Sequence, residues 1–129
     1  MIRTAEAAGY KGIILTSGTG DVYSPKVVRV AAGSLFRMPV LNAGDSGEAV
    51  ELIRRMGKKI TVTCPDNGIN CFEADMVSDT ALVIGNEGRG VSRGFMENAD
   101  IKVKIPMAGS IESLNAAVAA GILMYQSQR

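Results

Sequence analysis

Residues 81–126 constrain the fold most strongly, because two strands in this stretch each lead into a polar loop that contains glycine. Residues 81–84 are all apolar, which is typical of a parallel strand covered on both faces. Residues 101–105 alternate apolar and cationic side chains, and Pro106 then ends that strand. A helix capped by Ser92 follows the first loop, and Ser113 to Asn115 open the helix after the second. Loops of this kind at the carboxyl ends of strands predict a ligand crevice.

Neither loop matches a known phosphate-binding motif. Residues 85–90 read GNEGRG, which is not G-x-G-x-x-G, and no Gly-Lys-Ser/Thr follows to make a P-loop. The same glycines could serve only to make tight turns, which are routine between strands and helices. Residues 18–20 read GTG, but Tyr23 stands where a dinucleotide fingerprint needs its last glycine.

Strands and helices alternate along the remainder of the chain. Further strands are predicted at 12–15, 40–41 and 60–63, and helices at 1–9, from Ser24-Pro25 to about Phe36, and at 47–56 behind Asp45 or Ser46. Residues 64–73 are predicted to form a loop. About five alternations predict an α/β fold, a mainly parallel sheet with helices on both faces.

Composition narrows the class of protein further. A chain of 129 residues with 47% hydrophobic residues predicts a single domain with a real core. The net charge of +1 means that any affinity for RNA must come from a local patch, a second subunit or another domain. Histidine is absent, and Cys64 and Cys71 match neither a zinc site nor a disulfide framework. We therefore expect no metal, no membrane insertion and a cytoplasmic location.

Three segments together resemble one family. Residues 82–92 read LVIGNEGRGVS, residues 105–121 read IPMAGSIESLNAAVAAG, and residues 2–9 read IRTAEAAG. In this order they resemble the motifs of the SpoU (TrmH-like) RNA ribose methyltransferases of the SPOUT class. The resemblance covers essentially the whole chain. It implies transfer of a methyl group from S-adenosylmethionine to a ribose 2′-hydroxyl of rRNA or tRNA.

The resemblance also implies a particular architecture for residues 1–129. A SPOUT-type methyltransferase domain carries a deep trefoil knot in its C-terminal part, and the small residues of 115–121 suit such close packing. Family members have a strand and a loop, with an asparagine, ahead of the segment matched by residues 2–9. We therefore expect that this domain lacks its N-terminal part, and that an RNA-binding domain is missing as well.

Matching positions imply a donor site formed mainly by the two loops, together with one residue at the end of the third strand. Main-chain groups are expected to hold adenine and ribose, with apolar side chains around the base. The expected S-adenosylmethionine contacts are Thr63, Leu82, Gly85, Asn86, Gly88, Ile105, Met107, Ser113 and Leu114.

The matching positions for catalysis are Arg3, Glu87 and Asn115. A guanidinium stays protonated in proteins, so we expect Arg3 to position the hydroxyl and the adjacent phosphate. Glu87 would orient Arg3 or a ribose, and Asn115 would bind the ribose or fix the donor loop. Each residue also has a structural interpretation: Arg3 as a solvated surface side chain, Glu87 as a helix N-terminal carboxylate, and Asn115 as a helix cap formed together with Ser113.

The resemblance implies a homodimer whose first and last helices pack across a two-fold axis. Apolar residues cover more than one side of the last helix, which favours burial of part of it by a second chain. Two other functional classes remain open at this point. One is a truncated or degenerate module that binds S-adenosylmethionine or RNA without catalysis, and the other is an unrelated nucleotide-binding α/β enzyme.

Overall fold

Two parallel sheets form the framework of the computed structural model, which describes residues 1–76 and 79–128. The strands are β1 (Ile13–Leu15), β2 (Val40–Asn42), β3 (Lys59–Thr63), β4 (Ile69–Asn70), β5 (Thr80–Val83) and β6 (Ile101–Lys104). One sheet pairs β1 with β2, and the other has the order β4-β6-β3-β5. Every pairing between these strands in the described chain is parallel, which confirms the predicted α/β class.

Helices connect the strands, and local sequence signals explain where several of them begin. They are α1 (Ile2–Ala7), α2 (Pro25–Ala31), α3 (Ser34–Arg37), α4 (Ser46–Arg55), α5 (Arg93–Glu97) and α6 (Ala116–Gln126). Ser24 caps α2 ahead of a proline in the first turn, where a missing N–H costs nothing. Asp45 and Glu48 form a reciprocal capping box at the start of α4.

The four-stranded sheet carries helices on both of its faces, as predicted. Ile60 and Val62 of β3 pack with Phe95 of α5 and with buried residues of α4. Val103 of β6 packs with Leu123 of α6. The two clusters lie on opposite faces because Val62 is paired with Lys102 rather than with Val103, and successive residues of a strand alternate between faces.

Three expectations about the elements were wrong. The helix predicted to reach Phe36 breaks at Ala32 and Gly33, whose φ angles of 52° and 86° lie in the left-handed region and end α2 before α3 begins. The loop predicted at 64–73 contains the short strand β4, which is held to β6. Residues 81–84 were expected to be covered on both faces, but this strand is only half-buried. It is half-buried because β5 is the last strand of its sheet, and β1 and β2 form a separate one.

No helix in the described part of the chain is long and apolar enough to cross a membrane. The trefoil knot and the domain boundary at residues 1–129 stay predictions.

Candidate functional site

Three parallel strands end side by side at one edge of the larger sheet. β3 lies between β5 and β6, and the register pairs Val62 with Val83 and Thr63 with Val103. Because parallel strands share a direction, the loops that follow all three strands leave from this edge. The edge is therefore where residues 85–90 and 106–115 come together with Thr63, as the crevice prediction requires.

The loop at residues 85–90 is folded tightly upon itself. Asn86 and Gly90 exchange two main-chain hydrogen bonds, of 3.0 and 2.7 Å. The Asn86 side-chain Oδ1 accepts from the main-chain N–H groups of Gly88, at 2.8 Å, and Arg89, at 3.3 Å. A Cβ atom at Gly85 would lie 2.3 Å from the Gly90 carbonyl carbon, so only glycine fits there. The Asn86 oxygen is thus engaged in shaping the loop, while the loop surface is exposed.

The loop at residues 106–115, unlike the 85–90 loop, is not held together by hydrogen bonds between its own main-chain groups. Within residues 1–76 and 79–128, no hydrogen bond engages the main-chain N–H groups of residues 107–114. Met107 and Leu114, near its two ends, are 37% and 38% exposed, and Ser113 is exposed. Ile105 is half-buried and packs on the cluster that contains Leu123. The loop therefore offers main-chain donors and acceptors flanked by apolar side chains.

The segment after β3 packs closely against the end of β6. Cys64 donates its main-chain N–H to Val103 at 2.8 Å, and Gly68 donates to Cys64 at 2.9 Å. A Cβ at Gly68 would lie 2.5 Å from the Val103 carbonyl carbon, so this approach also needs glycine. The sequence interpretation missed Gly68, because its role depends on contact with a strand far along the chain. Thr63 is half-buried at the end of β3, beside this approach.

Asn115 caps α6 through its side chain. Its Oδ1 accepts from the main-chain N–H groups of Ala117, at 2.9 Å, and Val118, at 3.3 Å. The capping interpretation is therefore correct for the oxygen, while Ser113 takes no part in the cap. The Nδ2 group makes no hydrogen bond within the described chain and remains a possible donor to a ligand.

Arg3 lies in the first turn of α1, a helix that packs beside α6 and runs in the same direction. Thr4 lies beside Gly121, where its Cγ2 is 3.7 Å from the position a Cβ would take. Further along both helices, the Tyr10 hydroxyl is 2.9 Å from the Ser127 hydroxyl. The first turn of α1 therefore lies toward the same end of α6 as Asn115. The Arg3 side chain is exposed, and it forms no ion pair with any residue that the structure describes.

Glu87 is exposed on the 85–90 loop, and one of its expected roles was wrong. It was considered as a carboxylate at a helix N-terminus, but α5 begins only at Arg93 and has no acidic residue in its first turn. Contact between Glu87 and Arg3 is also not made, since neither of them takes part in an ion pair among the described residues.

Leu82 lies deeper than the other expected donor residues. It is in the middle of β5, half-buried, and packs against the clusters that contain Met124 and Leu123. Its side chain thus packs in the interior rather than on the exposed loop surface. Any contribution of Leu82 to a ligand would come from below the 85–90 loop.

Ionisable groups with displaced pKa values lie in structural contacts. The Arg37 guanidinium, with Ser34, holds the pKa of Glu6 at about 2. Arg54 and the main-chain N–H of Ile60 lower the pKa of Asp100. Burial raises the pKa of Tyr10, partly offset by the hydrogen bond to Ser127. No group of three or more potential metal ligands occurs among residues 1–76 and 79–128.

Comparison with known proteins finds relatives that are named as RNA methyltransferases. The chain is 40% identical over 125 residues to the 23S rRNA (guanosine(2553)-2'-O)-methyltransferase RlmP of Bacillus subtilis, which covers 97% of this chain and 50% of that protein. The AdoMet-bound rRNA methyltransferase of Sinorhizobium meliloti superposes with a TM-score of 0.92 at 33% identity, covering 98% of this chain and 49% of that one.

A third relative is the SpoU methyltransferase AviRb of Streptomyces viridochromogenes, solved in complex with AdoMet. It superposes with a TM-score of 0.89 at 38% identity, covering 98% of this chain and 52% of that one. This chain therefore spans about half the length of the relatives that it matches. The model of the SpoU rRNA Methylase family matches residues 1–125. The chain belongs to the SpoU rRNA methylase family.

Proposed function

We propose that this chain is the catalytic domain of an RNA ribose 2′-O-methyltransferase that uses S-adenosylmethionine. The observation that carries the proposal is the position of two loops, at residues 85–90 and 106–115, at the carboxyl ends of β5 and β6, the parallel strands on either side of β3. The 85–90 loop is closed by main-chain hydrogen bonds between Asn86 and Gly90, whereas the main-chain N–H groups of residues 107–114 have no partner in the described chain. Two related structures of the same fold contain AdoMet. Open α/β sheets place their ligands at this edge.

The residues at this edge fit such a methyl donor. Gly85 and Gly90 lie so close together that a Cβ at Gly85 would collide with Gly90, and the glycines at 88 and 90 leave main-chain groups exposed on the loop. The unpaired N–H groups of residues 107–114 supply hydrogen-bond donors for adenine and ribose. Met107 and Leu114 supply partly exposed apolar surface for the base. We propose the donor contacts Thr63, Leu82, Gly85, Asn86, Gly88, Ile105, Met107, Ser113 and Leu114.

Methyl transfer requires mainly that the ribose hydroxyl is aligned with the methyl group of the donor, and it depends less on a strong base. When bound, the sulfonium donor supplies an activated methyl group, and the ribose oxygen forms the new C–O bond as the C–S bond breaks. The Arg3 guanidinium cannot accept the hydroxyl proton, so its role is to hold the adjacent phosphate and orient the hydroxyl. The hydroxyl proton passes to solvent or to the exposed side chain of Glu87.

Asn115 would contact the substrate through its side-chain Nδ2, the polar atom that the helix cap does not use. Because Oδ1 is occupied by the N–H groups of Ala117 and Val118, only Nδ2 is available to donate to a ribose oxygen. The same cap fixes the end of the 106–115 loop. Asn115 therefore positions both the substrate and the donor loop.

The proposed partners are RNA, either rRNA or tRNA, and a second copy of the chain. Val118 and Tyr125, seven residues apart on one side of α6, are each 54% exposed, and a dimer contact would cover them. A cytoplasmic location completes the proposal. Light scattering at tens of micromolar tests the dimer, and a monomer at that concentration would contradict it.

Isothermal titration with S-adenosylmethionine and S-adenosylhomocysteine tests the donor site. Gly88 lies on the exposed surface of the 85–90 loop, so Gly88→Trp fills the space above it. Glu51→Trp is the control, because it also places an indole at an exposed position, on α4 and away from the two loops, at the cost only of an exposed ion pair with Arg55. We expect micromolar binding that Gly88→Trp abolishes and Glu51→Trp preserves. No binding to the unchanged chain at millimolar ligand would contradict the proposal.

A further inference from the structure

A cavity of about 190 Å³ lies at the carboxyl ends of β1 and β2. Leu15 and Asn42, the last residues of the two strands, line it together with Thr16 and residues 19–23 of the loop that follows β1. This loop contains the GTG sequence at residues 18–20, which has no role in the donor site. Sites for drug-sized ligands occupy about 300–1,000 Å³, so this space suits a small group of the size of a single nucleobase.

The residues around this cavity suit a neutral ligand better than a phosphate. Of the eight described residues that line it, Asp21 is acidic and none is basic. Phosphate sites use cationic side chains, and a carboxylate repels a phosphate. Leu15 and Val22 are half-buried, and Tyr23 is 61% exposed, so apolar and aromatic surface borders the space. Unpaired bases are bound in this way, by stacking on aromatic side chains and by hydrogen bonds to polar ones.

Two side chains of the cavity have unused hydrogen-bonding capacity. The Asp21 Oδ1 accepts the main-chain N–H of Tyr23 at 2.9 Å. A carboxylate has about four lone-pair sites, so most of the acceptor capacity of Asp21 is left for a ligand. The Asn42 side chain is exposed and makes no hydrogen bond within residues 1–76 and 79–128. Its amide can therefore both donate to a ligand and accept from it.

The Asp21 carboxylate distinguishes between the four bases. Guanine presents two adjacent donors, N1–H and the N2 amino group, and the two oxygens of a carboxylate can accept from both. Uracil has one donor between two acceptors, whereas adenine and cytosine place an amino donor beside a ring acceptor. Each of these three bases brings a lone pair against the carboxylate. Asn42 can donate to guanine O6, which lies next to N1 on the same edge of the base.

The cavity adjoins the space beside the first turn of α1, where Arg3 lies. Residues 19–22 also line a larger cavity, of about 780 Å³, and so does Ile2, which directly precedes Arg3. Ile84, the residue ahead of the 85–90 loop, lines the same larger cavity. A base is joined to its ribose by one bond, so a base site must open onto the same space as the ribose site. The loop after β1 meets that requirement for a ribose held by Arg3.

We propose that the smaller cavity receives the base of the nucleotide that is methylated, and that this base is guanine. Asp21 accepts from N1 and N2, Asn42 donates to O6, and the Tyr23 ring packs against the base. This inference rests on the proposed methyltransferase function. It adds three residues that select the nucleotide and take no part in the transfer of the methyl group.

Amide chemical shifts of the isotopically labelled chain give the first test, in titrations with guanosine, adenosine, cytidine and uridine up to the millimolar range. The chain is first saturated with S-adenosylhomocysteine, so that the nucleosides do not enter the donor site. We expect saturable shifts at residues 16–23 and Asn42, with a Kd for guanosine at least about fivefold below the others. Equal affinity for all four nucleosides, or no shifts at these residues, would overturn the inference. S-adenosylhomocysteine shifts at residues 85–90 and 107–114 test the proposed function separately.

Asp21→Asn tests the carboxylate and keeps the turn that it supports. The variant retains a side-chain oxygen for the Tyr23 N–H, but its other polar atom is a donor. We expect the Kd for guanosine to rise at least about tenfold while the Tyr23 amide keeps its protection from exchange. Asp66→Asn is the control, because it changes the same charge at an exposed residue that lines neither cavity. Unchanged affinity in Asp21→Asn, or an equal loss in Asp66→Asn, would overturn the inference.

Asn42→Ala provides a second measure if Asp21→Asn opens the turn. The Asn42 side chain makes no hydrogen bond in the described chain, so its removal leaves the local structure intact. We expect guanosine to bind at least about threefold more weakly, with the affinity for uridine unchanged. Equal effects on the two nucleosides would contradict the assigned contact with O6.

Short RNAs connect the cavity to the substrate. Seven-nucleotide RNAs of uridine, with guanosine, adenosine, cytidine or uridine at the centre, are compared by fluorescence anisotropy. We expect the guanosine RNA to bind at least about fivefold more tightly than the others, and Asp21→Asn to remove this preference. Equal binding of all four RNAs would overturn the base site and leave the proposed function standing. Binding of none of them would contradict the proposed RNA partner as well.

Discussion

Replacing Gly85 by alanine should open the loop at residues 85–90. The added Cβ would lie 2.3 Å from the Gly90 carbonyl carbon and 2.4 Å from the Val91 nitrogen, closer than real Cβ atoms approach backbone. The main chain must move apart, and the two hydrogen bonds between Asn86 and Gly90 are then lost. At about 0.5–1.5 kcal/mol each, this loss costs roughly 1–3 kcal/mol.

That free energy sets the expected effect on the methyl donor. If the donor binds only the closed loop, its Kd rises by roughly 5- to 150-fold in Gly85→Ala, at 1.4 kcal/mol for each factor of ten. Titration calorimetry measures the change in affinity, and amide exchange at Gly90, whose N–H donates to Asn86, measures the opening directly.

Gly88→Ala is the control for the loop itself. A Cβ at Gly88 would lie 3.5 Å from the Asn86 Oδ1, an ordinary contact, so the Gly90 amide should keep its protection. Unchanged Gly90 exchange in Gly85→Ala would refute the steric argument. Faster exchange with unchanged donor affinity would instead refute the role of the loop in binding.

Three further predictions concern side chains around the site and the core. Asn115→Ala should destabilise the fold by about 1 kcal/mol through loss of the α6 cap, and Asn115→Asp should restore most of it, as measured by urea unfolding; equal stability of all three proteins would contradict the capping role. The Glu6–Arg37 pair should stabilise the fold fully above pH 4.5, the ordinary pKa of Glu6, and lose that effect as the pH falls toward the folded pKa of about 2. The difference in urea midpoint between the unchanged protein and Glu6→Gln should therefore shrink between pH 5 and pH 2.5, and a constant difference would contradict the pair. Asp100→Ala should cost about 1–3 kcal/mol, because the buried Ile60 N–H loses its acceptor at 2.7 Å, and a loss below about 0.5 kcal/mol in the same assay would contradict that contact.

Local signals predicted most of the helices and strands. The alternation of residues 101–105, the Ser24-Pro25 start of α2 and the Asp45 cap each report a property of a few neighbouring residues, and the structure confirms all three. The SpoU resemblance was confirmed by the family match over residues 1–125. These features are readable because their physical causes lie within a few residues of one another.

Features set by distant contacts could not be predicted. The break at Ala32 has no sequence signal, because alanine rarely takes φ of 52°. β4 has only two residues, and its pairing with β6 determines it. The separation into two sheets depends on which strands pair, and those strands are far apart in the sequence. The Asn115 Oδ1 is occupied by the helix cap only once α6 has formed, so its sequence could not show that this oxygen is unavailable to a ligand.

The most direct test of the central claim is a titration of the isotopically labelled chain with S-adenosylhomocysteine, followed through its amide chemical shifts. If the two loops form the donor site, the largest shifts fall at residues 85–90 and 107–114, with smaller ones at Thr63 and Ile105. Saturable shifts confined to residues 16–21, at the end of β1, or no shifts at millimolar ligand, would contradict the assignment.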